Sequence, residues 1–393
     1  MRVLATRLAA IQAASGLLGG AYLPFFSPFL ASRGLSAATI GLLLASSTFL
    51  RIMIAPIAGI VADARGDRRS VMLAFLAPAF AAFAILAFVH DATAVVAAAI
   101  AALVLWAATS PLLESATLRA AEQSGTPYGR MRVWLSIAFV AGNVCSGLAA
   151  AQFGLGVIGL WLTIAAGGQL AATLFLPEES KRKAGSSGLH FRSTIAEARE
   201  LLGHPVFLAF LTVCSLIQGS HVVYYTYAGL LWRTAGMSPA LIGLIWPIGV
   251  LAEILLFVFS GRVVRRIDPV TLMLAGAVAC AVRWTLMAFA PTLPLLLFAQ
   301  LLHGLTFAVP HLGAMYFILR ATPPRLSATA QSLYSVSIGL ASSVALLPAG
   351  RLYAAWGSNI FFLMTGMAVV AGLLSFALAA RWHGGRLTEA TAG

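Results

Sequence analysis

Charged side chains are scarce in this chain. Asp, Glu, Lys and Arg make up 9% of its 393 residues, whereas about 25% is usual in a soluble domain. So few charges cannot cover a folded core with a water-compatible surface. With 60% hydrophobic residues and a mean hydropathy of +0.93, the composition predicts an integral membrane protein. The net charge of +13 is therefore not read as a sign of nucleic-acid binding.

Cysteine is also scarce. Cys145, Cys214 and Cys280 each fall in an apolar stretch, and an odd number cannot pair completely. We therefore expect no disulfides and no metal site. The sequence also lacks the Gly-x-Ser-x-Gly and His-Glu-x-x-His motifs of hydrolases, so we expect neither an enzyme nor a cofactor.

Twelve apolar stretches are long enough for a helix to cross the hydrocarbon core, which takes about 20 residues. They run roughly over 7–31, 36–62, 70–90, 93–118, 130–153, 155–177, 204–233, 238–263, 269–290, 292–320, 325–353 and 358–382. Because backbone groups in lipid must be satisfied within the segment, each stretch is predicted to be a helix. The first exceeds a signal-peptide core and is interpreted as a retained span.

Basic residues concentrate in alternate connections and at the termini. One set comprises Arg2, Arg7, Arg65, Arg68, Arg69, Arg119, Arg130, Lys181, Arg182, Lys183, Arg192, Arg199, Arg262, Arg265, Arg266, Arg320, Arg325, Arg381 and Arg386. The opposite connections hold only Arg33, Arg233 and Arg351. By the positive-inside rule, both termini are predicted to be cytoplasmic, in a bacterial inner membrane.

The two halves of the chain repeat each other. The segment GLSAATIGL at residues 34–42 recurs as GMSPALIGL at residues 236–244, an offset of 236 − 34 = 202. This predicts two pseudo-symmetric six-helix bundles, 1–177 and 204–393, joined by a cytoplasmic linker at 178–203. Such an all-α integral membrane architecture resembles that of the major facilitator transporters, in which the substrate binds at the midplane between the halves.

The connection after the second span resembles the signature of the same superfamily. It reads Gly59-x-x-Ala62-Asp63-x-x-Gly66-x-Arg68-Arg69. We expect Gly59 to allow close helix approach, Asp63 to pair with basic neighbours and Gly66 to form the turn. Ala64 and Asp67 depart from the pattern, which usually has basic residues there. The motif is predicted to latch conformations rather than contact substrate.

Ionisable side chains lie inside several spans: Glu114, Arg132, Glu253, Arg283 and His303. Each costs at least a few kcal/mol at mid-bilayer, so it normally faces a bundle interior or a wet cavity. Glu114, Glu253 and Arg283 lie too far from a span end to reach water easily, which favours a functional role. Arg132 lies nearer the cytoplasmic end, where a long side chain can snorkel. Arg51, the counterpart of Glu253 under the repeat offset, is equally compatible with a structural ion pair.

Polar and aromatic residues also recur at helical spacing within spans. The stripes are Gln12, Ser15, Gly19, Tyr22 and Phe26; Arg132, Ser136, Phe139 and Asn143; Gln218, His221 and Tyr225; and His303, Phe307 and His311. Each stripe lies on one helix face, which predicts a wet cavity with aromatic walls. Gln12, Gln218 and Asn143 are explained equally well by interhelical hydrogen bonds.

A more specific resemblance covers essentially the whole chain. The shared motifs are Pro111-Leu-Leu-Glu114, Tyr128-Gly129-Arg130-x-Arg132-x-Trp134-x-Ser136, Ala252-Glu253-Ile254-x-Leu256-Phe257, Arg283-Trp284, His303-x-x-Thr306-Phe307-x-x-x-His311 and Thr329-Ala330-Gln331-x-Leu333-Tyr334-Ser335. They resemble the phenylpropionate permease branch and, more distantly, lactose permease and the oligosaccharide–proton symporters. The resemblance implies that Glu114 and Arg132 bind substrate. It also implies that Glu253, Arg283 and His303 serve substrate binding and proton coupling.

The departures from lactose permease narrow the choice of proton carrier. Lactose permease has a carboxylate one turn after its span-ten histidine and an aspartate in span seven, and this chain has neither. Glu253 is therefore the first candidate proton carrier, and Glu114 the second.

Together these features predict a monomeric, proton-coupled symporter for a small organic anion, an aromatic carboxylate such as phenylpropionate. The predicted substrate-binding residues are Glu114, Arg132, Ser136, Asn143, Tyr225, Arg283, His303 and Phe307. We expect the anion against Arg132 or Arg283, with its ring against Trp134, Phe139, Tyr225 or Phe307. Alternatives are proton symport of a neutral sugar or nucleoside, an efflux antiporter of drugs or metabolites, and a sensor that binds without flux.

Overall fold

The structure is a computed structural model that describes residues 2–124, 127–177, 187–264, 267–289 and 292–387. Its secondary structure within these ranges is helical throughout. The α-helices are α1 (Arg2–Ser32), α2 (Ala37–Arg65), α3 (Arg68–Phe88), α4 (Ala92–Ala108), α5 (Ser110–Ser124), α6 (Tyr128–Phe153), α7 (Val157–Leu174), α8 (Ser187–Leu202), α9 (Pro205–Thr234), α10 (Pro239–Val264), α11 (Pro269–Ala288), α12 (Leu293–Leu301), α13 (Val309–Ala321), α14 (Ser327–Trp356) and α15 (Phe361–Arg381). A π-helical turn, Gly304–Ala308, joins α12 to α13.

Twelve membrane-crossing segments result from these helices. Eleven stretches of the described chain are long and apolar enough to cross a membrane, and the last of them, Pro324–Arg381, contains 58 residues. It includes both α14 and α15, which separate at Gly357, where the φ of 55° suits glycine. Helices α4 and α5 form one crossing, as do α12, the π turn and α13. The described residues thus contain the twelve spans that the sequence predicts.

Short polar side chains begin several of the helices. The side chains of Ser36, Asp67, Asp91 and Asp268 each accept a hydrogen bond from a backbone N–H in the first turn of the helix that follows. Such N-caps satisfy donors that have no partner within the helix. These capping residues therefore mark where the connection ends and the next helix begins.

Helices α1 and α6 pack backbone to backbone through glycine. A Cβ atom at Gly16 would clash with the carbonyl oxygen of Leu135, and one at Gly20 with that of Phe139. In a bilayer, lipid tails are as apolar as the side chains of a neighbouring helix, so the hydrophobic effect does not drive two helices together. Close packing of their backbones is instead a main source of association. Beside this contact, Gly19 of the α1 stripe faces the ring of Phe139 of the α6 stripe, where an added Cβ atom would lie 3.6 Å from the ring.

The chain forms two compact units. The first comprises Met1–Ser187 and Tyr225–Pro247, and the second comprises Gly188–Tyr224 and Ile248–Gly393. Helices α9 and α10 therefore each contribute to both units. The division of the chain into halves at 178–203 stays a prediction from the sequence repeat.

The described part of the central linker is a helix rather than an open loop. Helix α8 lies in the second unit, where Arg325 donates hydrogen bonds of 3.0 and 2.8 Å to the two carboxylate oxygens of Glu200. The hydroxyl of Thr329 donates to Glu197 at 2.5 Å. This bidentate pair and the neighbouring bond hold α8 against the start of α14.

Candidate functional site

An acid–base cluster in the first unit joins α5 to the first turn of α6. The Nε of Arg132 donates to Glu114 Oε1 at 2.9 Å, and the hydroxyl of Tyr128 donates to Glu114 Oε2 at 2.7 Å. Both members of the ion pair keep about a third of their side chains exposed, 33% for Arg132 and 39% for Glu114. The structure thus brings together two of the predicted substrate-binding residues. Tyr128, whose role the sequence left open, orients the carboxylate.

A second cluster lies in the second unit around Arg283, which is completely buried. The guanidinium donates from Nε to the carbonyl of Ala299 at 2.8 Å and from Nη2 to Gln300 Oε1 at 3.0 Å. Its Nη1 lies 3.0 Å from His303 Nδ1 and donates to the hydroxyl of Thr306 at 3.2 Å. Because every nitrogen is engaged, Arg283 is a fixed internal cation in this conformation rather than an accessible anion site.

Aromatic rings complete the surroundings of this cation. The guanidinium carbon of Arg283 lies 4.7 Å from the ring centre of Tyr224 and 4.5 Å from that of Trp284. The hydroxyl of Tyr224 in turn donates to Gln300 Oε1 at 2.9 Å. Sequence reasoning missed Tyr224 and Gln300. The spacing of Gln300 three residues before His303, on the same helix face, was the available signal.

His303 connects Arg283 to Glu253. Its Nδ1 faces the Arg283 donor and must accept, so a neutral ring carries its proton on Nε2. That Nε2 lies 3.8 Å from Glu253 Oε2, within ion-pair range and beyond an ordinary hydrogen bond. His303 is buried, whereas the Glu253 side chain is 22% exposed. The three residues, called the Arg283–His303–Glu253 chain below, lead from a buried cation to an accessible carboxylate.

The π turn explains how His303 comes to lie beside α10. Pro310 has no N–H, so it cannot bond the carbonyl of Thr306 four residues earlier. That carbonyl instead accepts the thiol of Cys280 at 3.6 Å. A Cβ atom at Gly304 would lie 2.9 Å from the carbonyl oxygen of Ala252, so glycine is needed for α10 to approach this closely. Single π turns inside α-helices often occur at functional sites.

Phe307 lies in a stack of rings that follows the predicted stripe of the tenth span. Its ring centre is 5.4 Å from that of His303 and 6.5 Å from that of His311, both in stacked orientation. His221 meets it edge-on at 5.8 Å. His221 Nε2 also lies 3.3 Å from the hydroxyl of Thr306. The stripe of the seventh span therefore reaches this cluster through His221.

The remaining predicted substrate-binding residues are Asn143, Ser136 and Tyr225. Asn143 is completely buried, and its side-chain amide donates to the carbonyl of Phe139 on its own helix at 2.8 Å. Ser136 is half-buried on α6. Tyr225 is half-buried and belongs to the first unit.

The predicted signature motif has a mixed outcome. Gly66 adopts a φ of 65° and ends α2 by donating to the carbonyl of Ala62, as expected for the turn. Arg68 is buried and donates to the hydroxyl of Ser115 at 3.0 Å, while Arg69 donates to the carbonyl of Leu174 at 3.0 Å. These bonds tie the turn to α5 and to the end of α7.

The expectation for Gly59 is wrong in this conformation. A Cβ atom there would meet no heavy atom of the described residues within 4 Å, so no close helix approach among them depends on this glycine. The side chain of Asp63 lies outside the described part of the structure, so its predicted pairing with basic neighbours stays a prediction.

The twelve-span helical fold, with ionisable groups placed inside the spans, is that of a secondary transporter. The model of the MFS_1 like family matches residues 15–364, most of the chain. The chain belongs to this family of the major facilitator superfamily, whose members are transporters rather than enzymes. The fold class and the superfamily predicted from the sequence are confirmed.

Named relatives cover nearly the whole chain. A protein of Escherichia coli (strain K12) named "Probable 3-phenylpropionic acid transporter" is 30% identical over 368 residues, which are 90% of this chain and 93% of the relative. "Maltose permease" of Geobacillus stearothermophilus is 26% identical over 366 residues, 92% and 91% of the two chains. The resemblance to the phenylpropionate permease branch is thereby confirmed.

Solved structures agree on the fold. A mutant of the nucleoside transporter NupG superposes with a TM-score of 0.81 at 18% identity, over 97% of this chain and 100% of that one. A peptide transporter POT, in complex with alafosfalin, gives a TM-score of 0.74 at 12% identity, over 97% and 98%. At such identities the likeness shows the fold alone.

Proposed function

We propose that this protein is a proton-coupled symporter for a small aromatic carboxylate, working by alternating access in a bacterial inner membrane with both termini cytoplasmic. The Arg283–His303–Glu253 chain carries the proposal for proton coupling. The substrate class is supported by the name of the relative that is 30% identical over 90% of this chain. Small molecule, proton and bilayer are then the protein's partners, and we expect a monomer.

Proton binding at Glu253 has a direct structural consequence in this geometry. An ionised Glu253 is attracted by the N–H of His303 and by the positive charge of Arg283 behind it. A proton on Glu253 removes that attraction and weakens the hold of α10 on the π turn. The protonation state of one carboxylate thus biases the packing of two spans, as a proton-driven switch requires.

A second candidate function is proton symport of a neutral sugar or nucleoside. The Glu114, Arg132 and Tyr128 cluster favours it, since paired donors and acceptors bind hydroxyl groups well. The name of the maltose permease relative points the same way. The two candidates differ in whether a fixed negative charge on the ligand is required.

The test is uptake of labelled 3-phenylpropionate into proteoliposomes under an inward proton gradient, with Glu253→Gln beside wild type. We expect gradient-driven accumulation in wild type, its loss in Glu253→Gln, and persistence of substrate exchange in the variant. The control is Glu389→Gln, which removes a carboxylate beyond the last predicted span and should accumulate substrate normally. Binding of neutral sugars or nucleosides without uptake of any aryl carboxylate would overturn the anion assignment.

A further inference from the structure

We infer that Arg51 of α2 binds the carboxylate group of the transported anion. This inference rests on the proposed function and deepens it by locating the charged end of the substrate. It differs from the expectation that Arg132 or Arg283 holds the anion. Four observations support it: the depth of Arg51, the direction in which it points, the cavity that it faces, and the state of the other charges.

Arg51 lies at the middle of its span. It is 51 − 37 = 14 residues from the start of α2 and 65 − 51 = 14 residues from its end. At 1.5 Å per residue this is about 21 Å from either end. An arginine side chain cannot cover that distance to reach the interface, so its charge must be compensated inside the protein.

Arg51 points away from the exposed apolar face of α2. The exposed large side chains of that face are Leu42, Phe49, Leu50, Met53, Ile57 and Ile60. At 100° per residue, Arg51 lies roughly 160° from the centre of this face, and its neighbours around the helix include the buried Ser47 and Ala58. Yet Arg51 itself is exposed. A residue exposed on the protein-facing side of a span opens into a cavity rather than into lipid.

That cavity lies within the first unit and has a volume of about 50 Å³. It is lined by Tyr22, Ser47, Thr48, Arg51, Leu103, Trp106 and Ala107. The space is several times the roughly 10–15 Å³ that one water requires, which suits a carboxylate group and is too small for a whole ring beside it. The ring centres of Tyr22 and Trp106 are 6.0 Å apart, and Trp106 is fixed by its bond of 3.0 Å to Gln169. Hydroxyls, a guanidinium and aromatic rings together match an aryl carboxylate.

The membrane carboxylates are already engaged elsewhere. Glu114 pairs with Arg132, and Glu253 faces His303. Among the described residues, Arg51 has neither an ion-pair nor a hydrogen-bond partner. A mid-bilayer cation without an internal counterion needs an anion from solution. A transported carboxylate supplies it, and the neutral analogue of the substrate does not.

The test compares binding of 3-phenylpropionate and 3-phenylpropanamide to purified protein in nanodiscs, in chloride-free buffer. We expect wild type to prefer the acid and Arg51→Gln to bind it about thirtyfold or more weakly, the usual scale for losing a desolvated charge partner. Amide binding should stay unchanged in Arg51→Gln. Arg51→Lys should keep part of the preference, and Arg351→Gln, which removes an exposed arginine near the end of α14, should keep all of it.

The possible outcomes separate this inference from the proposed function. If wild type does not bind the acid, the proposed function fails, and the inference fails with it. If Arg51→Gln binds the acid as wild type does, or loses acid and amide alike, the role of Arg51 is wrong and the proposed function stands. Thermal unfolding gives a further readout, because a structural ion-pair role predicts a lower melting temperature for Arg51→Gln and the binding role does not. Should Arg51→Gln fail to fold, Arg51→Lys decides by its acid-to-amide ratio.

Discussion

Arg283 and Arg132 are held in opposite ways. Arg283 is fully buried, with donors on all three nitrogens engaged, whereas Arg132 makes one partly exposed ion pair. Removing a buried charge partner leaves several acceptors unsatisfied at once. A partly exposed pair adds little, because water and side-chain entropy offset its attraction. The two arginines should therefore differ in what they contribute to stability.

We expect Arg283→Ala to lower the free energy of unfolding by about 3–5 kcal/mol and Arg132→Ala to lower it by about 1 kcal/mol or less. Thermal unfolding of both purified variants in one detergent checks this. Arg132→Ala is the matched control, since it deletes the same side chain from a span. Equal shifts in melting temperature would contradict the expectation that the buried hydrogen bonds of Arg283 stabilise the protein more than the ion pair of Arg132.

At the scale of elements, the contact of α10 with the π turn positions the Arg283–His303–Glu253 chain. Gly249 faces the side chain of His303, and Gly304 faces the backbone of Ala252. Both contacts are too close for an added Cβ atom to be accommodated without movement. The separation of Glu253 from His303 is thus set by backbone packing rather than by the two side chains alone.

Gly304→Ala should separate α10 from the π turn and reduce proton-driven uptake about tenfold or more, because overpacking costs about 1–3 kcal/mol. The control is Gly366→Ala on α15, where an added Cβ atom meets nothing within 4 Å. Uptake in proteoliposomes, with protein amount matched, gives the comparison. Normal uptake by Gly304→Ala would show that the close contact is not required.

The N-cap residue of α11, Asp268, should make a pH-dependent contribution to the free energy of unfolding. Burial alone would raise the pKa of Asp268, but hydrogen bonds from the Thr271 hydroxyl and from the backbone N–H groups of Thr271 and Val270 hold the pKa below its ordinary value. A carboxyl with a lower pKa in the folded state stabilises the protein above its unfolded pKa of about 3.9. That contribution is lost as the pH falls through the folded pKa.

Asp268→Ala should therefore cost about 1 kcal/mol of stability at neutral pH, as is typical of a lost N-cap. The difference from wild type should shrink as the pH falls below about 3.9, where the carboxyl of the unfolded chain takes up its proton, and should be lost below the lower pKa of the folded state. Unfolding measured in denaturant at several pH values checks both parts. Asp268→Asn retains a side-chain oxygen that can cap the helix but lacks the charge. It should therefore lose less stability than Asp268→Ala at neutral pH.

At the scale of the whole molecule, two of the three basic residues that break the charge asymmetry have local explanations. Arg33 donates to the carbonyls of Ala87 and Val89 at the end of α3, at 2.6 and 3.0 Å. Arg233 donates to the carbonyl of Met237 at 2.6 Å. Both satisfy carbonyls at a helix end or turn, a favourable position for a cation. Because these two arginines have structural roles, they are weak evidence against the prediction that both termini are cytoplasmic.

Reporter fusions test this orientation. Alkaline phosphatase, active only outside the cytoplasm, should be active when fused after Gly34 and inactive when fused after Gly66 or at the C-terminus. A fluorescent protein that matures in the cytoplasm should show the reverse pattern. Phosphatase activity after Gly66 would contradict the proposed topology. It would place the arginine-rich connections outside the cytoplasm, against the positive-inside rule.

The number of spans, their helical state and the superfamily followed from the sequence by itself. Lipid imposes a length and a hydrogen-bonding rule on each segment separately, so these properties are written locally along the chain. The Glu114–Arg132 pairing and the shared face of His303 and Phe307 were also predictable, from motif resemblance and helical spacing. Glu253 was likewise identified from the sequence as a candidate.

Only the tertiary structure decided which charges are accessible. Arg51 and Arg283 both lie inside predicted spans, yet one faces a small cavity and the other is enclosed by Gln300, Thr306 and two aromatic rings. The π turn that brings His303 to α10 likewise depends on glycines and on Pro310 at contacts distant along the chain. Burial and hydrogen-bond satisfaction depend on the neighbouring helix, and helical periodicity gives the direction of a side chain but not what lies opposite it.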